Sequence, residues 1–206
     1  MPNWCSNYIK ISGDESNMKP IYDLLKSEVD DLFMSTLVPE NGEFEKIKDG
    51  GHFLLSPYVE YYGTKWDFKV TECDTNTLEP TLIDFSVSTA WSPPEPFCKR
   101  LSKKYGVDVE ISFFEGGANF AGRSRFSNGK EIESLMYTYR EGMYYLETET
   151  FWGETYSDLE WMFCENPNIT FDEVLGQMYP FVKDENDIKE LNELYHNFKV
   201  DETTGE

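Results

Sequence analysis

From Leu82 to Phe126 the chain changes periodicity twice, and that succession constrains the fold more than any other feature. Ile83, Phe85 and Val87 alternate with Asp84, Ser86 and Ser88, the pattern of a strand with one buried face. Ser92-Pro93-Pro94-Glu95 then reads as a capping box with proline in the first turn of a helix, and Phe97, Leu101 and Tyr105 follow on one helical face as far as Gly106. Val107, Val109, Ile111 and Phe113 alternate again, and Gly116-Gly117 turns the chain into a further strand, Asn119 to Phe126. Upstream, Trp4 to Ile11 predicts a first strand, and Ile21, Leu24, Leu25, Val29 and Leu32 predict a first helix with Pro20 in its opening turn. Trp66 to Thr71 offers another strand. The order β-α-β-β-α-β-β contains the split βαβ pattern, so the expected class is α+β: a ferredoxin-like antiparallel sheet with helices on one face.

Periodicity fades over about residues 35–62, a long irregular connection. Beyond Ser127, Asn128-Gly129 signals a hairpin, and Lys130 to Tyr139 followed by Met143 to Thr150 predicts extended β structure turning at Glu141-Gly142. Ser157 to Glu160 and Thr170 to Glu173 then read as capping boxes, and Ile188, Leu191, Leu194, Tyr195 and Phe198 form a last amphipathic stripe. Two parts are expected: residues 1–126 as the ferredoxin-like domain, and 127–206 as an acidic hairpin-plus-helices extension packed on it.

Four segments carry a resemblance: MPNWCSN at the start, YYGTKWDF at Tyr61 to Phe68, STAWSPPEPF at Ser88 to Phe97 and the EGGANFAG run ending at Gly122. Together they resemble the YubB-like family of phage and plasmid proteins, over roughly residues 1–126. The resemblance implies a ferredoxin-like domain and a mobile-element origin. It implies no catalytic residues.

Charge narrows the function. The 206 residues hold 18 Lys+Arg against 39 Asp+Glu, a net charge of −21, so nucleic-acid binding through an ordinary basic face is not expected. The chain also carries 15 Phe, 13 Tyr and 5 Trp, enough for a core, which excludes wholesale disorder. There is neither an export signal nor an apolar run near the roughly 18 residues of a spanning helix, so a soluble protein of the host-cell cytoplasm is expected, away from membranes. Cys5, Cys73, Cys98 and Cys164 lie far apart and only His52 and His196 could join them, so reduced thiols, no metal and no cofactor are expected.

Gly117 to Ser124 mimics a P-loop, with Arg123 where lysine would stand, but its alternation into Asn128-Gly129 predicts a hairpin strand. Lys65, Trp66, Asp67 and Trp91, joined by Trp4 and by Arg123 and Arg125, could form a nucleotide pocket with rings for the base and guanidinium groups for phosphate. Large aromatics are mostly structural, so core placement of these tryptophans, with Lys65 and Asp67 bracing a turn, is the first expectation. A Cys-His or Ser-His arrangement would need His52 to meet Cys5 or a serine across the fold.

The acid is unevenly placed. Arg140 to Glu206 holds 17 Asp+Glu and 4 Lys+Arg, and Glu141 to Val182 holds nine acids and no base. Tyr145, Glu147 and Glu149 would share a strand face at about 6.6 Å spacing, comparable to neighbouring phosphates. Trp152, Glu154, Tyr156, Asp158, Glu160 and Trp161 follow. The leading expectation is therefore a non-enzymatic interaction protein that mimics nucleic acid and inhibits a basic host partner, such as a nuclease or another nucleic-acid-handling or defence factor. The alternative is a protein that sequesters a nucleotide in the tryptophan pocket.

Overall fold

The computed structural model describes residues 3–44, 57–146 and 148–204. The chain is α+β and divides into two units, Met1–Tyr139 and Arg140–Glu206. In the first, strand β1 (Trp4–Ser12) and helix α1 (Glu15–Lys26) are followed by the short helices α2 (Phe33–Leu37) and α3 (Pro57–Tyr62). Then come β2 (Asp74–Glu79), β3 (Leu82–Ala90), α4 (Glu95–Tyr105), β4 (Asp108–Glu115), β5 (Phe120–Ser127) and β6 (Lys130–Tyr137).

The six strands form one antiparallel sheet in the order β2-β3-β1-β4-β5-β6. Its first four positions are the ferredoxin-like arrangement, and β5 and β6 extend it beyond β4. Register builds the core. Ile9 lies opposite Phe85 on one side and Ile111 on the other. These three residues are fully buried in one cluster with Met18 and Ile21 of α1 and with Phe97, Cys98 and Leu101 of α4. Each such large apolar side chain contributes about 1.5–3 kcal/mol of burial. The strand face opposite this core carries Trp4, Tyr8 and Lys10.

The second unit is helical. Helix α5 (Tyr139–Leu146) begins at the division, followed by α6 (Thr148–Glu165), α7 (Phe171–Met178) and α8 (Glu185–Thr204). Phe151, Leu159, Met162 and Phe163 of α6 are buried, as are Val174, Tyr179, Leu191 and Tyr195. Phe163 lies 5.4 Å from Tyr195, whose hydroxyl donates to the Ile169 carbonyl at 2.7 Å.

Several elements differ from the sequence expectations. The second strand is Asp74–Glu79, not Trp66 to Thr71, which instead leads into the 3-10 turn Val70–Glu72. Helix α1 starts at Glu15, so Pro20 lies beyond its first turn, where the amide it withholds would have served the exposed Ser16. Ser92 does not cap α4: its hydroxyl donates to the Gly63 carbonyl at 2.5 Å, while Glu95 accepts from Ser124 at 2.5 Å. Met143 to Thr150 is not a strand, since Met143 to Leu146 and Thr148 to Thr150 are helical. Tertiary packing outweighs β propensity there: the Tyr144 ring sits 5.2 Å from Phe151 and 5.7 Å from Phe181. Ser157 is inside α6 and caps nothing, because the buried stripe Phe151, Thr155, Leu159, Met162 runs past it. The Thr170–Glu173 capping box is present, with Thr170 N–H donating to Glu173 at 2.9 Å and Glu173 N–H to Thr170 at 3.3 Å. The unit boundary falls after Tyr139 and not after residue 126, because β6 pairs with β5 and completes the sheet.

Candidate functional site

The four motif segments, far apart in sequence, meet at one end of the sheet. Trp4 opens β1 opposite Ala90, and Trp91 N–H donates to the Asn3 carbonyl at 2.9 Å. The Ala90 carbonyl accepts from Thr64 Oγ1 at 2.9 Å and from Lys65 N–H at 3.3 Å, which fastens the Gly63 to Trp66 segment to the end of β3. Asn7, buried, donates to the Cys5 and Val87 carbonyls and to Thr89 Oγ1, and Thr89 in turn donates to the Ser92 carbonyl at 2.9 Å. Glu115, 4% exposed, accepts from Gly117 N–H at 3.0 Å and from Ala118 N–H, holding the turn whose Gly117 lies against Asn3.

Two glycines show why these segments have their composition. Gly63 has φ +94, and a Cβ there would come within 2.5 Å of Pro96 and 2.7 Å of the Pro93 carbonyl. Gly122 faces the Phe113 ring, which an added Cβ would approach to 2.6 Å. Trp91 holds φ +76, a costly conformation for a bulky L residue that persists where surrounding contacts over-determine it.

The tryptophans are not core. Trp4, Trp66 and Trp91 are 53%, 41% and 45% exposed, so the expectation of burial fails. Trp4 and Trp66 meet edge to face at 6.2 Å. The Lys65 ammonium lies 4.2 Å from the Trp91 ring and 4.9 Å from the Trp66 ring. Beside them opens a cavity of about 610 Å³ lined by Trp4, Leu32, Trp66, Asp67, Lys69 and Glu72, among others. Asp67 does brace the chain: it accepts from Met34 N–H, Ser35 N–H and Ser35 Oγ at 2.8 Å each and from Phe68 N–H at 2.9 Å, capping α2 from 32 residues away.

Arg123 and Arg125 do not join this cavity. Arg123 is in register with Ser112, the neighbour of Tyr8, four residues or roughly 13 Å along β1 from Trp4 and two strands across. Each arginine pairs with an acid at 3.3 Å, Arg123 with Glu133 and Arg125 with Glu110. The P-loop mimic is strand β5, as its alternation predicts.

In the helical unit, Tyr145 is 50% and Trp161 60% exposed, Glu160 is exposed, and Trp152 is half-buried against Phe151. Tyr145, on α5, shares no strand face with Glu147 and Glu149. Asp158 is held within its own unit: Arg140 donates to both its oxygens at 2.8 Å and Tyr179 donates at 3.0 Å. Glu147 and the side chains of Glu149, Glu154 and Tyr156 lie outside the described residues. Exposed acids continue with Glu165, Asp172, Glu173, Glu185, Glu190 and Glu193.

Burial pushes the Cys5 thiol up to about 12, and the Cys73 thiol likewise to about 12. Such thiols stay protonated at neutral pH. His52 lies outside the described residues, and His196 is exposed on α8. One patch was hidden by the net charge: Lys99, Arg100, Lys103 and Lys104 line the outer side of α4, and among the described residues none pairs with a carboxylate.

Residues 65–156 match a family model described as the ferredoxin-like domain in Api92-like protein. The chain is similar in structure to the crystal structure of protein api92 from Yersinia pseudotuberculosis, at 9% identity and a TM-score of 0.45, covering 66% of this chain and 98% of that one. No curated protein matches. Among the described residues no helix is long and apolar enough to cross a membrane.

Proposed function

We propose that this chain is a non-enzymatic interaction protein of a mobile element whose acidic helical unit imitates a nucleic-acid surface and inhibits a basic host protein that handles nucleic acid or serves in defence. One observation carries the proposal: Arg140–Glu206 holds 17 acids and 4 bases, and two of those bases are already spent on acids of the same unit. Arg140 is committed to Asp158, and Lys189 lies 3.8 Å from Glu193. Thirteen of the 21 net negative charges therefore sit on 67 residues, beside the exposed Trp161 and Tyr145. Carboxylates in that density raise the encounter rate with a cationic surface, and exposed rings supply anchors. The motif resemblance to phage and plasmid proteins supports the mobile-element origin, and a cytoplasmic site of action goes with it.

The test replaces Glu160, Glu165, Asp172, Glu190 and Glu193 by lysine, positions that are exposed and outside the Asp158 network. Tagged protein and variant are incubated with host extract freed of nucleic acid, with DNA added back as competitor. Basic nucleic-acid-binding proteins retained by the parent, displaced by DNA and lost by the variant are the expected result. Equal retention by both forms refutes the mechanism.

A further inference from the structure

Trp4, Leu32, Trp66 and Trp91 leave four large apolar side chains between 41% and 53% exposed at one end of the sheet. Three of them share the approximately 610 Å³ cavity or its rim with Asp67 and Glu72. The walls select the guest. An anion would face both carboxylates, while the cation in the wall, Lys69, is held 2.7 Å from Asp30. The arginines that a phosphate would need are across the sheet and paired with acids. The indoles, by contrast, already bind a cation: Lys65 rests its ammonium on two of them, and among the described residues it has no carboxylate partner. Glu72 is exposed, with Oε2 accepting from Lys69 N–H at 2.7 Å and Oε1 open among the described residues.

We infer that this cavity binds an arginine side chain of a partner protein, its guanidinium stacked on Trp4 or Trp66 and its N–H groups directed to Glu72. Arginine suits the site better than lysine because its plane covers an indole face while its edge still offers paired donors to a carboxylate. The inference deepens the proposed function, since it rests on a cationic partner, but it places a specific contact on the sheet unit and not on the acidic helices.

The probe is acetyl-Gly-Arg-Gly-amide, titrated into the full chain while the five indole N–H resonances are followed by NMR, with the citrulline peptide as a neutral isostere and AMP as an anionic aromatic. Saturable shifts at Trp4 and Trp66 but not at Trp152 and Trp161, weakened about tenfold by citrulline, are expected. Glu72→Gln should weaken binding several-fold and leave the spectrum of the free protein otherwise unchanged. Equal binding of the citrulline peptide, tighter binding of AMP, or shifts spread over all five indoles would each overturn the inference. Because no partner protein enters this titration, its failure leaves the capture experiment on the acidic unit standing, and failure of that capture leaves the titration interpretable.

Discussion

Asp67→Ala removes a carboxylate that fastens the start of α2 to the chain around Phe68. Three backbone N–H groups and one hydroxyl converge on it at 2.8–2.9 Å, three of these four donors from the first turn of α2. Hydrogen bonds to a charged acceptor are worth about 1.5–3 kcal/mol each, and loss of a helix N-cap about 0.5–2 kcal/mol. The site is half-buried, so water replaces part of what is lost, and a net cost of about 3 kcal/mol is expected. For a chain of this length that lowers Tm by about 6–12 °C. Asp67→Asn keeps one acceptor oxygen and should lose about half as much. Thermal unfolding by circular dichroism gives the first number, and amide exchange localises it: Met34 and Ser35 should lose protection while Ile9 and Ile111 keep theirs. A melting temperature within about 1 °C of the parent, with Met34 and Ser35 still protected, would show that Asp67 does not tie this segment down.

Gly122→Ala should cost about 1–3 kcal/mol, read as a lower urea midpoint, because the new methyl meets the Leu135 carbonyl at 2.5 Å and the Phe113 ring at 2.6 Å. An unchanged midpoint would mean that β5 and β6 shift apart freely. Burial raises the Glu95 carboxyl above its ordinary range, against the opposing hydrogen bond from Ser124. The folded chain therefore holds that proton more tightly than the unfolded one, so Glu95 costs stability as pH rises from the ordinary carboxylate range through the raised value. Glu95→Gln should raise Tm at pH 7 and leave it unchanged at pH 4, and a gain of equal size at both would refute the assignment. Asp158→Ala should destabilise the helical unit by about 1–3 kcal/mol through loss of the hydrogen bonds it accepts from Arg140 and Tyr179, whereas Glu160→Ala stays within about 0.5 kcal/mol. Equal melting temperatures for the two variants would dismiss the structural role given to Asp158.

Strands β1, β3, β4 and β5 are legible because each alternates against a single core. Strand β2, Asp-Thr-Asn-Thr-Leu-Glu, is an edge strand with little to bury, so the aromatic Trp66 to Phe68 stretch reads as the better strand. The helical unit misleads for a related reason. Tyr144, Tyr145, Thr148 and Thr150 favour strands locally, and what makes the region helical is the packing of Tyr144 and Phe151 on Phe181, which no local pattern records. The tryptophans of the candidate site can be named from sequence, but their exposure cannot, since it depends on what the sheet end leaves uncovered. Arg123 and Arg125 share a strand face with each other, yet only the register shows that Glu133 and Glu110 lie beside them. Net charge likewise averages away the four cations of α4.

Contact between the acidic helical unit and a cationic protein surface can be read out directly. A photoreactive phenylalanine analogue at Trp161, 60% exposed between Glu160 and the acids that follow, tests it in living host cells. Covalent capture of a nucleic-acid-handling protein through a peptide rich in lysine and arginine is expected, with loss of that product when Glu160 and Glu165 are changed to lysine. Capture through a neutral or acidic peptide, or a yield indifferent to the two lysines, would contradict it.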